Sequence, residues 1–200
     1  TYTDSSVEHL VTADNFDPLD VTSVIFTGSG ISYIEISAFA NLTSVLYLFT
    51  NPITGTLKLP NAPNCTSLRL QNTSIERLVN LDKFTGIIND LLLNSMKLTG
   101  HIELPIAPNM TRIRAQINPL LTSVSSLLGC TSLATIEVQQ CALDQTSVDM
   151  IFNDTDSNGA SNGTLNVSGG TNSGFSSDSS ASVVSLIDKT WTLTHNGACL

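Results

Sequence analysis

Six stretches of the chain repeat one pattern at intervals of 22 or 23 residues. The pattern is apolar-x-x-apolar-x-apolar-x-x-(Asn/Cys/Ser/Thr)-x-apolar, beginning at Val21, Thr43, Cys65, Ile88, Met110 and Leu133. The sixth copy is the cleanest: Leu133, Ile136, Val138, Cys141, Leu143. The fifth reads Met110, Ile113, Ala115, Asn118, Leu120, and the second opens weakly at Thr43, where Leu42 is an alternative occupant. The apolar-x-apolar centre is a short strand whose alternate residues face one side. A strand of that length cannot bury its apolar side alone. Copies at a fixed short period must therefore stack, pairing in parallel over a shared core. The small polar slot falls at the turn, where a side-chain amide or hydroxyl can satisfy main-chain groups leaving the ladder.

The pattern resembles the leucine-rich-repeat consensus. That resemblance implies a right-handed α/β solenoid with helical caps. Its parallel sheet would form a concave face, with irregular, extended and short helical segments on the convex face. A second period overlies the first: Gly55-Thr-Leu-Lys-Leu-Pro-Asn-Ala-Pro-Asn is echoed 45 residues on by Gly100-His-Ile-Glu-Leu-Pro-Ile-Ala-Pro-Asn. Prolines at 60, 63, 105 and 108 make these return segments extended. The intervening returns, Ile75–Leu81 and Leu120–Leu128, read as more helical or turn-like.

The expected organisation is one continuous domain with an N-terminal cap over 1–20, six units over 21–143 and a C-terminal cap over 144–200. In the first cap, Ser5-x-x-Glu8 with Val7, Leu10 and Val11 suggests a short capping helix, and Tyr2, Phe16 and Leu19 are candidates to cover the first repeat. In the second, Thr146-x-x-Asp149 reads as a capping box opening a helix that stops at Asn158-Gly159. A strand follows over Gly163–Gly170, then a helix over Ser177–Asp188 and a final strand around Trp191. Residues 140–196 resemble the terminal block of bacterial and bacteriophage leucine-rich-repeat proteins. The first residue is Thr, which suggests a processed, trimmed or partial chain.

A net charge of −9 with only eight Lys plus Arg argues against a nucleic-acid or anionic-membrane partner. No run of 18 apolar residues predicts a membrane span. Sparse charge with abundant Ser, Thr and Asn suggests an extracellular, cell-surface or virion setting. Cys65 and Cys141 occupy inward and turn slots and are expected as buried thiols, whereas Cys130 and Cys199 leave a disulfide open. Sequons stand at Asn41, Asn64, Asn72, Asn109, Asn153, Asn162 and Asn166, relevant only in a glycosylating host. His9, His101 and His195 lie far apart in sequence, Thr27–Gly30 reads as a turn, and no nucleophile, zinc or phosphate-loop motif is present. The chain is expected not to be an enzyme and to carry no cofactor. Asp154-x-Asp156-x-Asn158-Gly159 matches the first half of a calcium loop, but the twelfth position is Leu165 instead of a bidentate Glu. A helix end and turn is the simpler reading, and no metal is expected.

Strand residues pointing away from the core would form the exposed sheet face. Ile25, Tyr47, Arg69, Leu92, Arg114 and Glu137 lie between the inward pairs. Val45, Phe49, Gln71, Arg112, Gln116 and Gln139 flank them. Aromatic and apolar groups (Val45, Tyr47, Phe49, Leu92) beside three Arg make a plausible interface, although β-propensity alone also places apolar residues there. The sequence therefore points to a non-enzymatic recognition or adhesion module binding a protein or glycan ligand. The alternative is a self-associating structural subunit of an extracellular filament or virion.

Overall fold

A computed structural model describes residues 10–11, 21–39 and 41–197. The chain winds as a solenoid around a parallel sheet. Eight short strands, each contributed by one winding, form that sheet: β2 (Val24–Ile25), β4 (Val45–Tyr47), β6 (Ser67–Arg69), β8 (Asp90–Leu92), β10 (Arg112–Arg114), β12 (Thr135–Glu137), β13 (Thr164–Asn166) and β14 (Thr192–Thr194). They pair in that order, all parallel. The register aligns Val24, Leu46, Leu68, Leu91, Ile113, Ile136 and Leu165 in one row, and each is at most 5% exposed. The next inward row, from Leu48 through Leu70, Leu93, Ala115, Val138 and Val167, is equally buried. These rows are the core that the apolar-x-apolar repeat requires.

The turn slots perform the expected main-chain duty. Asn51 Nδ2 donates to the carbonyls of Phe26 (2.7 Å) and Leu48 (2.9 Å), while its Oδ1 accepts from the Ser29 and Ile31 amides. Asn118 and Asn172 repeat the arrangement, and Thr73 supplies a single bond to the Leu70 carbonyl. The residue just before the slot is left-handed: Thr50, Asn72, Ser95, Ile117 and Gln140 have φ between 55° and 60°. At Gly28 (φ 60°) the first winding places a glycine there, as the turn reading of Thr27–Gly30 requires.

The return segments differ from expectation in one respect. β5 (Thr54–Lys58) and β9 (Thr99–Ile102) are extended, as the prolines suggested, but so are their neighbours β7 (Ser74–Val79) and β11 (Leu120–Val124). Each pair forms a two-stranded parallel sheet. The helical reading of Ile75–Leu81 and Leu120–Leu128 fails because both strands carry a bulge. Gly55 and Leu57 oppose Ile75 and Leu78, and Gly100 and Ile102 oppose Leu121 and Val124. One extra residue converts a period of two into a spacing of three, which mimics a helix face. A 3-10 turn at Leu81–Lys83 is the helical piece in these returns among the described residues.

Leu10–Val11 form β1, paired in parallel with β3 (Tyr33–Ile34), and not part of a capping helix. Pairing with a neighbouring segment overrides the weak local helix signal. The rest of the expected N-terminal cap, with Tyr2, Ser5, Glu8, His9, Phe16 and Leu19, lies outside the described residues. The C-terminal block contains α1 (Gln145–Ser157) and α2 (Ser180–Asp188) between the last strands. Asp144 is the N-cap of α1, accepting from the Ser147 amide at 2.8 Å. Thr146 is therefore inside the helix, and Asp149 lies too far along to close a capping box. Asp149 instead reaches across to the start of α2, accepting from Ser176 N–H (2.7 Å), Ser176 Oγ (2.6 Å) and Ser179 Oγ (2.5 Å).

Cys65, Cys130 and Cys141 are buried free thiols, so Cys130 makes no bridge. No helix of the described residues is long and apolar enough to cross a membrane.

Candidate binding face

Because side chains alternate along each strand, the residues between the inward rows stand on the opposite side of the sheet. Strand register sets them in rows. The central row runs Ile25, Tyr47, Arg69, Leu92, Arg114, Glu137, Asn166, Thr194. On one side of it lie Val45, Ser67, Asp90, Arg112, Thr135, Thr164 and Thr192. On the other, main-chain bonds continue the ladder through Phe49, Gln71, Asn94, Gln116, Gln139 and Ser168. No described helix or return strand pairs with the strands of this sheet.

The face has two chemical halves. Towards β2 it is aromatic: Tyr47 and Phe49 rings stand 6.2 Å apart and tilted, and the Arg69 guanidinium lies 4.7 Å from the Tyr47 ring centroid. Tyr47 Oη also meets Ser67 Oγ at 3.2 Å. Towards β12 the face is ionic. Asp90 accepts from Arg69 at 2.9 Å and pairs with Arg112 at 3.3 Å, so one carboxylate joins two cations. Arg114 and Glu137 form a further ion pair whose geometry is not that of a hydrogen bond. Partly exposed pairs of this kind contribute about 0–1 kcal/mol to stability. Their consequence is positional, since they hold planar, multi-donor groups at fixed points on the sheet face.

Several polar atoms on this face are withdrawn from solvent yet have no hydrogen-bond partner among the described residues: Arg69 Nε and the side-chain carbonyl oxygens of Gln71, Gln116 and Gln139. Unpaired shielded polar atoms cost free energy, and here they share one surface.

Leu92 differs from the exposed anchor that the sequence implied, being only 9% exposed. Its row neighbours are Arg69 and Arg114, whose long apolar stems stand beside it. Asp90 lies outside the residues that the sequence pattern assigned to the face; it pairs in register with Arg112, and its carboxylate reaches both Arg112 and Arg69 in the adjacent row. Ser67 and Asn94 also stand in these rows, beyond the residues that the sequence pattern assigned to the face.

The calcium-like motif does not assemble into a site. Asp154 Oδ2 accepts from Ser126 Oγ and the Leu127 amide, Asn158 Oδ1 accepts from the Gly129 amide, and Asp156 turns the other way to Lys189 and Ser185. A helix presents residues 154 and 158 on one side and 156 on another, so these groups fasten α1 to its two neighbours. Among the described residues no cluster of three His, Cys, Asp or Glu is placed to hold a metal. Five sequon asparagines are exposed: Asn41, Asn64, Asn72, Asn109 and Asn162. Asn153 and Asn166 are partly covered and hydrogen-bonded to Ser182 and Ser168. His101 of β9 joins Ser123 of β11 (2.9 Å) and Glu103 (3.2 Å). His101 and Glu103 are 46% and 67% exposed, however, so solvent competes for both contacts. His195 packs edge-on against Phe175, 4.9 Å between centroids.

Searches of protein-family models, curated proteins and solved structures find no match to this chain.

Proposed function

We propose that the chain is a leucine-rich-repeat solenoid serving as a non-enzymatic recognition or adhesion module. It binds a protein or glycan ligand through the outward face of the eight-stranded sheet. The 22- and 23-residue period, the turn asparagines and the parallel sheet favour the repeat family. One observation carries the functional reading: a sheet face that no described helix or return strand pairs with gathers an aromatic pair and three arginines. Aromatic and Arg groups are the side chains most often dominant at binding surfaces. The low charge and Ser/Thr/Asn-rich composition support a secreted, cell-surface or virion-attached setting.

The test uses labelled protein on a printed array of neutral and acidic glycans and on a panel of purified surface proteins. Wild type should bind one of these classes. Tyr47→Ala/Arg114→Ala should lose that binding, while Thr56→Ala/Lys58→Ala on the return strand β5 keeps it. Binding that survives the first pair, or fails for wild type on every probe, would overturn the reading.

A second reading, a structural subunit, draws on a different observation: β14 pairs only with β13, leaving its other edge without a strand among the described residues.

A further inference from the structure

The outward rows of the sheet differ in charge from the chain that carries them. They hold three of its eight bases, Arg69, Arg112 and Arg114, but two of its 17 acids, Asp90 and Glu137. The rows therefore sum to +1 in a chain of net charge −9. The excess has a definite place. Arg69 and Arg112 share the single carboxylate of Asp90, at 2.9 and 3.3 Å, which leaves one positive charge at this cluster, whereas Arg114 is balanced by Glu137. The Asp90 side chain is 14% exposed against 41% for Arg112, so the acid is sunk and the guanidinium stands clear. Arg112 makes no hydrogen bond to a described residue, and its fork of N–H donors remains open to a ligand.

The rest of the face suits a hydroxylated ligand better than a protein. A protein partner is anchored by apolar side chains at the centre of the contact. Of the large apolar side chains that are exposed among the described residues, Ile25 alone lies in these rows, at their β2 end. Leu92, in the middle of the face, is 9% exposed. Around the arginines stand the hydroxyl of Ser67 and the side-chain amides of Gln71, Asn94 and Gln116. Such groups both donate and accept, as sugar hydroxyls do. Tyr47 and Phe49 add tilted aromatic surface beside Arg69, on which the C–H side of a sugar ring can rest.

We propose that the ligand of this face is an acidic saccharide, a glycan bearing carboxylate groups such as uronate or sialate units. Arg112 donates through its two-pronged guanidinium to one ligand carboxylate, while Arg69 stays tied to Asp90 and stacked on Tyr47. The acidic remainder of the chain repels the same ligand and so directs it to this face. This inference rests on the recognition reading of the same face. A neutral glycan or a protein captured there, and lost in Tyr47→Ala/Arg114→Ala, would sink the inference and leave that reading standing.

Biolayer interferometry on defined probes tests it. Immobilised oligogalacturonate and sialyllactose carry the carboxylate, methyl-esterified oligogalacturonate and lactose present the same sugars without it, and polyglutamate presents it on a peptide. Wild type should bind an acidic saccharide, bind its uncharged counterpart about tenfold more weakly or worse, and lose affinity as salt rises from ~0.05 to ~0.3 M. Arg112→Gln should weaken the binding by about tenfold, the effect of one charged hydrogen bond, while Lys83→Gln on the 3-10 turn leaves it unchanged. If Arg112→Gln loses its fold, the comparison of charged with uncharged probes and the salt series, which need no variant, decide the matter. No binding to either acidic saccharide, equal binding of charged and uncharged forms, tighter binding of polyglutamate, or binding indifferent to salt would each overturn the proposal.

Discussion

Replacing Asn118 by Ala should be among the most damaging single changes in the repeats. The side chain is 0% exposed. Its Nδ2 donates to the carbonyls of Leu93 (2.9 Å) and Ala115 (2.8 Å), and its Oδ1 accepts from the Leu98 amide at 3.2 Å. Truncation leaves the Leu93 carbonyl and the Leu98 N–H unpaired in the interior, and the Ala115 carbonyl with only the weak Cys141 thiol donor at 3.3 Å. Each unsatisfied buried group costs about 1–3 kcal/mol, and partial relaxation brings the sum to about 3–5 kcal/mol. Thr73 occupies the equivalent slot of another winding with one such bond, to the Leu70 carbonyl at 2.9 Å. Thr73→Ala should therefore cost only about 1 kcal/mol. Urea unfolding of both variants, compared at equal m-value, reads the ratio directly. Asn118→Asp keeps the acceptor and loses the donors, so it should also be strongly destabilised. If Asn118→Ala costs no more than Thr73→Ala, the slot asparagines do not hold the windings together through main-chain bonds.

Three other outcomes are expected. Ile117 is β-branched, 46% exposed and left-handed at φ 60°, so Ile117→Asn should raise stability by about 0.5–1 kcal/mol in the same urea assay. The C-terminal block should weaken in acid. Burial raises the Asp149 pKa, but hydrogen bonds from Ser176 and Ser179 outweigh it and leave the carboxyl below its ordinary value; at Asp156, burial is likewise outweighed by Lys189 and Ser185. Both groups are depressed in the folded state. Their contribution is thus complete above the unfolded carboxylate range near pH ~4 and is lost as pH falls through the lower folded values. Melting temperature followed from pH 7 to pH 2 should fall in that window for wild type and less so for Asp149→Asn. Burial raises the pKa of the Cys65 and Cys130 thiols and pushes that of Cys141 up to about 11. A thiol reagent at pH 8 should leave all three unmodified until the protein is unfolded.

The solenoid was legible because its signal is repeated. Leu46, Leu68, Leu91, Ile113 and Ile136 recur at one spacing, and a period seen six times outweighs the ambiguity of any three-residue strand. The returns were less so, since the bulges near Glu76 and Thr122 space Leu121 and Val124 like successive contacts on a helix. Asp149 shows another limit: an acid three residues after Thr146 fits a local cap, while its actual partners, Ser176 and Ser179, are about one winding away. On the outward face, alternation placed Tyr47, Arg69 and Arg114. The clamp of Asp90 on Arg69 and Arg112 depends on strand register, and the near-burial of Leu92 depends on neighbours in adjacent windings.

The openness of the outward face is best tested by its chemical accessibility in the free protein. Gln116→Cys in a Cys199→Ser background places one thiol on the ladder of unpaired amides, with the other described cysteines buried. Maleimide should label it rapidly and at a rate independent of protein concentration, as expected of a surface kept clear for a ligand. Slow labelling that slows further as concentration rises would mean that copies of the chain cover the face, and it would then be a packing contact and not a recognition surface.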